Sequence, residues 1–126
     1  ASKHNYNEIA PIKEELEKMG HKITLPNSYE EPMKEEEMKK TGDKEHSDWK
    51  AKMIRKQKEK VEANDAIMVF NIGKNGIENY IGGATFLEIY QAFILNKKIF
   101  LYNKITAGIL ADELKSFIIS IQKTYA

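Results

Sequence analysis

The chain has 126 residues, of which 41% are hydrophobic and 31% charged, so it is long and apolar enough to bury the core of one domain and is not a disordered chain. The net charge is +1 and Arg55 is the single arginine, which argues against a reader of polymeric DNA or RNA, because such proteins cluster basic side chains and use arginine forks. There is no cysteine, which excludes disulfides and thiol chemistry. No apolar run reaches the length of a membrane span. A cytoplasmic protein that does not bind membranes is therefore expected.

The first quarter of the sequence predicts a helix followed by a strand. Apolar residues recur at helical spacing between Asn7 and Met19, and Gly20 is placed to stop the helix. The segment "HKITLP", from His21 to Pro26, predicts a strand that proline ends.

The stretch from Asn27 to Asp43 has a different composition. It contains runs of acids and lysines, Pro32 and Gly42, and few large apolar residues. This predicts a mobile insert at about 27–43 that acts as a loop or a lid. A helix is predicted to resume near Ser47, with Trp49, Met53 and Val61 available to pack inward.

The second half alternates between strands and helices. Ala66 to Phe70 predicts a buried strand, Thr85 to Asn96 a helix, and Lys98 to Tyr102 a second strand. The end of the chain, "AGILADELKSFIISIQKTYA", predicts a helix with an apolar stripe from Leu110 to Ile121, which comprises Leu110, Leu114, Phe117, Ile118 and Ile121.

This alternation predicts an α/β fold with a parallel sheet in a three-layer, Rossmann-like or flavodoxin-like sandwich, formed by a single domain over residues 1–126. The opening "ASKHNYNE" is typical of the loop that leaves a first strand. The first strand is therefore expected either to be missing from the sheet or to lie upstream of Ala1.

Ligands of open parallel sheets bind outside the carboxyl ends of the strands. The loop "NIGKNGIENYIGGAT" follows the strand at Ala66 to Phe70, and its last two glycines, Gly82 and Gly83, would let a ligand approach the backbone near a helix N-terminus. The same region has another interpretation, because Thr85 and Glu88 have the T-x-x-E spacing of a capping box. Spacing alone leaves Glu88 open to either role, as a capping residue or as part of a ligand site.

The two segments "ANDAIMVFN" and "NYIGGATFLEIYQAFILNKKIFLYN" together resemble the nucleoside 2-deoxyribosyltransferase family and its nucleoside-monophosphate N-glycosidase relatives. The likeness covers Ala63 to Asn103. It consists of Asp65 before a strand, a glycine-containing loop, Glu88 on the following helix, and a lysine before the closing strand.

The resemblance implies that Glu88 is the nucleophile of a double displacement at the anomeric carbon of a deoxyribose. It also implies that Tyr6 orients this carboxylate, although Tyr6 is as well placed to pack against its own helix. Further candidate substrate-binding residues are Ser2, His4, Asn71, Asn79, Tyr80, Gly82, Gly83 and Thr85. The alternative roles are solvation for Ser2 and His4 and turn formation for the asparagines.

Two positions depart from the family pattern. Gly82 stands where the family carries an acid six residues before the nucleophile, and Tyr90 stands where a glycine is usual. These departures leave two functions open. One is cleavage or exchange of the N-glycosidic bond of a deoxynucleoside or its 5'-monophosphate, without a metal or other cofactor, by a homodimer or higher homo-oligomer. The other is a non-catalytic nucleotide-binding module or sensor.

Overall fold

A computed structural model describes residues 3–73, 79–105, 108–117 and 121–124. Over these residues the protein is α/β, with one 3-10 helix, Lys3–Glu8, and one parallel sheet. The α-helices are α1 (Ile9–Lys18), α2 (Lys34–Thr41), α3 (Asp43–Ala63), α4 (Gly83–Ile94) and α5 (Ala111–Ser116). The strands are β1 (Ala66–Val69), β2 (Lys98–Leu101) and β3 (Ile121–Thr124).

The sheet has the order β1, β2, β3 in the described part of the chain, and both pairs are parallel. Ala66 lies opposite Lys98 and Val69 opposite Leu101. Parallel neighbours need a crossover, and α4 and α5 lie in the two connections. The parallel strands predicted at 66–70 and 98–102 are confirmed to within one residue.

The core lies between the sheet and α4. Ile89 and Ala92 of α4 pack against apolar side chains of β1, β2, α3 and α5, and Ala92 and Ile99 are fully buried. The other buried members of this cluster are Val61, Val69, Leu101, Leu114 and Phe117. Because α4 is held on several sides, its orientation over the sheet is well defined.

The first predicted helix is confirmed, and its end shows why glycine occurs there. Gly20 has a φ of 94°, a conformation that costs glycine little. Its N–H donates to the carbonyl of Glu17, and the N–H of His21 donates to that of Leu16, at 3.0 and 3.1 Å. This is a Schellman motif, which ends α1 after Lys18.

The strand predicted from His21 to Pro26 is wrong. Residues 21–26 belong to no strand. Two of their polar groups form hydrogen bonds with the side chains of Lys60 and Asn64 instead of with a neighbouring strand. Lys60 Nζ donates to the carbonyl of Leu25 at 2.9 Å, and the Thr24 hydroxyl donates to Asn64 Oδ1 at 3.3 Å. A strand needs a neighbouring strand to pair with, and in the described chain α3 lies beside this segment instead.

The predicted carboxyl-terminal helix is wrong beyond its first turns. The helix α5 ends at Ser116, and Ile121 begins β3, which pairs with β2. The β-branched and aromatic run "FIISIQKTY" favours a strand once a free edge of β2 is at hand. Leu114 and Phe117 lie in the core, and Ile118 lies outside the described residues, so the predicted stripe is not one helical face.

The insert at 27–43 contains the helix α2, which packs against α3. Glu35 joins the two helices, because its Oε2 lies 3.0 Å from His46 Nε2 and 3.1 Å from Lys50 Nζ. Burial by itself raises the pKa of Glu35, but the hydrogen bonds from His46 and Lys50 outweigh it and hold the pKa below its ordinary value of 4.5. The mobility of the insert remains a prediction.

Replacing Glu35 with glutamine is expected to speed proteolysis within α2 at pH 7. A carboxyl whose pKa is lowered by folding stabilises the fold above its unfolded pKa, and this contribution is lost as the pH falls through the folded value. The difference in cleavage rate between E35Q and the parent should therefore shrink below about pH 4.5. The matched control is E37Q, since Glu37 makes only a loose exposed pair with Lys34 at 3.9 Å. Equal cleavage of E35Q and E37Q would contradict the role of Glu35.

None of the helices in the described ranges combines the length and the apolar composition that a membrane span requires.

Candidate functional site

The helix α4 begins earlier than the capping box requires. Its N-cap is Gly82, with an extended φ of −82° and ψ of 173°, and no side chain of the described residues caps it. Thr85 therefore lies within the first turn and Glu88 in the second turn, where backbone N–H groups already have helical partners. The capping-box interpretation of Glu88 is wrong, and the carboxylate needs another explanation.

Glu88 is partly buried on α4. Burial raises its pKa, and the positive charge of Lys60 on α3 partly opposes that rise. A carboxylate costs free energy to bury, and natural sequences keep such a group mainly where it has a task. Burial and a nearby cation together make Glu88 the strongest functional candidate on this helix.

Tyr6 faces the same region from the 3-10 helix. Burial, and after it the negative charge of Glu88, raises the pKa of Tyr6 to about 12. The phenol therefore keeps its proton at neutral pH and can donate a hydrogen bond. Its ring also packs on Tyr29, with 5.5 Å between the ring centroids. The structure thus brings Tyr6 into the neighbourhood of Glu88, and the role of Tyr6 in orienting this carboxylate stays a prediction.

Sequence reasoning missed Lys60 and Gln57. Gln57 is buried, and its Nε2 donates to the carbonyl of Ala84 at 3.0 Å, which ties α3 to the first turn of α4. The signal was present in the sequence: Met53, Gln57 and Lys60 of α3 and Asn64, its C-cap, follow one helical spacing. Three polar residues on one such stripe indicate a polar contact across the helix pair.

A cleft of about 330 Å³ opens beside these residues, between the segment 23–30 and α3. Lys60 and Tyr29 both line it, and both connect it to the surroundings of Glu88, Lys60 by its charge and Tyr29 through Tyr6. The remaining lining residues are Ile23, Thr24, Leu25, Pro26, Asn27, Glu30 and Lys56.

Asn71 is placed at the carboxyl edge of the sheet, as predicted, but its amide is already engaged. Its Nδ2 donates to the carbonyl of Asn103, and its Oδ1 accepts from the N–H of Asn103, both at 2.8 Å. Asn103 Nδ2 in turn donates to the carbonyl of Asn71 at 3.0 Å. These bonds join the chain segments that leave β1 and β2, which favours a bracing role for Asn71.

The other predicted loop residues lie before α4. Asn79 has a φ of 51° and donates to the carbonyl of Lys104 at 3.0 Å, so it forms part of a turn. The ring of Tyr80 covers Gly82: a Cβ on Gly82 would lie 3.3 Å from Tyr80 Cε1 and Oη. A Cβ on Gly83 would meet open space. An acid at position 82 would therefore require Tyr80 to move.

The second departure from the family pattern lies away from the cleft. Tyr90 is two positions from Glu88, which is about 200° around the helix. Its ring is half exposed and approaches Phe117, with 6.4 Å between the centroids. Tyr90 also lines a separate apolar groove with Leu87, Ile94 and Leu95. Tyr90 therefore belongs to another face of α4 than Glu88.

Two predicted residues cannot be placed beside Glu88. Ser2 lies outside the described residues, and His4 is described only by its backbone in the 3-10 helix. In the described ranges, no group of three histidine, aspartate or glutamate side chains is arranged to hold a metal ion.

Comparison of the chain with protein-family models, with curated proteins and with solved structures finds no match.

Proposed function

We propose that this protein cleaves or exchanges the N-glycosidic bond of a deoxynucleoside or deoxynucleoside 5'-monophosphate through a covalent glycosyl-enzyme on Glu88. The observation that carries the proposal is the position of Glu88. It is a partly buried carboxylate that does not cap its helix and that acts electrostatically on a protonated tyrosine and a lysine. The resemblance over Ala63 to Asn103 supplies the reaction class.

In the first step a carboxylate oxygen of Glu88 attacks the anomeric carbon. The bond from that carbon to the base nitrogen breaks, and the base leaves with its bonding electron pair and takes a proton. In the second step water or another base attacks the same carbon and restores the carboxylate, so the configuration is retained overall. The reaction requires neither a metal nor a redox cofactor.

Burial and the charge of Lys60 have opposite effects on the protonation of Glu88, and this balance suits a nucleophile. Burial favours the protonated acid, whereas the charge of Lys60 favours the carboxylate that must attack. Tyr6 keeps its proton, because its pKa is about 12, so its hydroxyl can donate to the carboxylate and orient it. Lys60 and Tyr6 therefore act as positioning residues in this mechanism.

The layered arrangement of the sheet and helices is also part of the proposal. We infer that the described sheet belongs to a three-layer, Rossmann-like or flavodoxin-like sandwich. The parallel order and the two crossovers support this inference.

The test of function is incubation of the protein with each deoxynucleoside and each deoxynucleoside monophosphate, with free base followed by chromatography. Release of base from at least one of them, and base exchange when a second base is added, are the expected results. If none of these compounds releases base, cleavage and exchange of the N-glycosidic bond are both excluded as the function.

The second candidate is a non-catalytic nucleotide-binding module or sensor. The observation that favours it is Gly82, where the family acid is replaced and Tyr80 occupies the space above the glycine. In this case nucleotides bind, shift the melting temperature and remain intact.

We also propose that the protein forms a homodimer. The apolar groove of Leu87, Tyr90, Ile94 and Leu95 supports this, since Tyr90 and Ile94 are 47% and 55% exposed, and clustered exposed apolar side chains are typical of interfaces. Light scattering at micromolar concentration should give twice the monomer mass.

A further inference from the structure

The cleft between segment 23–30 and α3 carries an unusual pair of cations. Lys56 and Lys60 are four residues apart on α3, so they lie on neighbouring turns of one face, and both line the cleft. Like charges at this spacing repel each other. The pKa of Lys60 is lowered, first by burial and then by Lys56, which is the expected effect of such repulsion. A bound anion would relieve it.

Asn27 lines the cleft, and its side chain carries a buried acceptor in need of a donor. Asn27 Nδ2 donates to the carbonyl of Met53 at 3.0 Å, which fixes the orientation of the amide. The opposite atom, Asn27 Oδ1, is buried and has no hydrogen-bond partner among the described residues. A buried polar atom without a partner costs about 1–3 kcal/mol, so a hydroxyl or N–H brought by a ligand would satisfy it.

The remaining lining fits a small polar ligand. The volume of about 330 Å³ lies at the lower end of the range of small-molecule sites, roughly 300–1,000 Å³. Tyr29 supplies an aromatic surface, and Glu30 is the acidic residue of the lining. Two ammonium groups against one carboxylate leave the cleft positively charged.

We infer that this cleft is a subsite for a phosphate monoester, in which Lys56 and Lys60 bind the phosphate and Asn27 Oδ1 accepts a hydrogen bond from a hydroxyl of the same ligand. Anion binding follows from the cleft alone. The link between this cleft and Glu88 rests on the proposed function. In that reaction, a phosphate bound in the cleft makes the substrate a nucleotide rather than a nucleoside. Lys60 connects the two, because it lines the cleft and its charge reaches Glu88.

Binding of 2-deoxyribose 5-phosphate, measured by titration calorimetry, tests this inference. The parent should bind it at least tenfold more tightly than 2-deoxyribose. The K56Q variant should bind the phosphate at least tenfold more weakly than the parent, and K56R should recover most of the affinity. Lys56 is exposed on α3, so these variants are expected to fold.

The matched control is K52Q, which removes an exposed lysine one turn earlier on α3 and outside the cleft. K52Q should bind like the parent. The inference is overturned if the parent binds deoxyribose as tightly as its phosphate, if it binds neither, or if K56Q and K52Q are equal. A different result would count against the proposed function alone: no base is released from any substrate, although K56Q still weakens binding of the sugar phosphate.

Discussion

Replacing Glu88 with glutamine is expected to lower the rate of base release by roughly 10³-fold or more, the scale found when a nucleophile is removed. Glutamine keeps the size and the hydrogen-bonding capacity of the side chain but cannot form the glycosyl ester. The measurement is free base released per minute, by chromatography, from the best substrate of the parent. E59Q is the control, because Glu59 is exposed on α3 and does not line the cleft.

The same substitution should raise the stability of the fold at neutral pH. Burial raises the pKa of Glu88 in the folded protein. A carboxyl with a raised folded pKa favours folding fully below its unfolded pKa, and that contribution is lost as the pH rises through the folded value. The melting temperature of E88Q should therefore exceed that of the parent at pH 7, and the excess should disappear below about pH 4.5, the ordinary pKa.

Together the two readouts separate the candidate functions. Loss of base release with a higher melting temperature supports the nucleophile, and a deoxyribose adduct on a peptide containing Glu88 would identify it chemically. Base release by E88Q at the parental rate would show that the nucleophile is wrongly assigned. A parent that binds nucleotides without releasing base supports the binding module.

The second large effect concerns stability. Asn71→Ala is expected to lower the free energy of unfolding by about 2–4 kcal/mol, because it removes two buried hydrogen bonds and leaves the N–H and carbonyl of Asn103 without these partners. Asn71 is 1% exposed, so water cannot replace the lost bonds without rearrangement. Urea unfolding at pH 7 measures the change.

Asn103→Ala provides the matched comparison. It removes the single bond from Asn103 Nδ2 to the carbonyl of Asn71 and leaves both bonds of the Asn71 amide, so its cost should be about 0.5–1.5 kcal/mol. Equal costs for the two variants would contradict the bracing role of Asn71. In that case the structural reason for a buried asparagine would be lost, and its interpretation as a ligand-binding residue would gain weight.

Several elements could be predicted from sequence because their determinants are local. The helix α1 follows from apolar spacing and from Gly20, whose positive φ ends it. The strands β1 and β2 follow from short apolar runs separated by a helical pattern. The α/β class follows from the same alternation, since a helix between two neighbouring strands makes them parallel.

The interpretation of the site depended on more than sequence. The T-x-x-E spacing is compatible with a capping box, and only the position of the N-cap, Gly82, three residues before Thr85, removes that role from Glu88. Which residues surround Glu88 also depends on packing. Lys60 lies 28 positions earlier on another helix, and no local pattern relates the two.

Where one segment could adopt two structures, its neighbours decided between them. The end of the chain has both helical and strand character, and Ile121 joins a strand because β2 offers unpaired backbone groups at its edge. Residues 22–25 have strand character as well but lie beside α3, whose Lys60 binds the carbonyl of Leu25. Sequence determined the apolar pattern and the turns of this protein, whereas backbone pairing and the burial of Glu88 were decided by the tertiary structure, because hydrogen-bond partners and desolvation depend on residues distant in the chain.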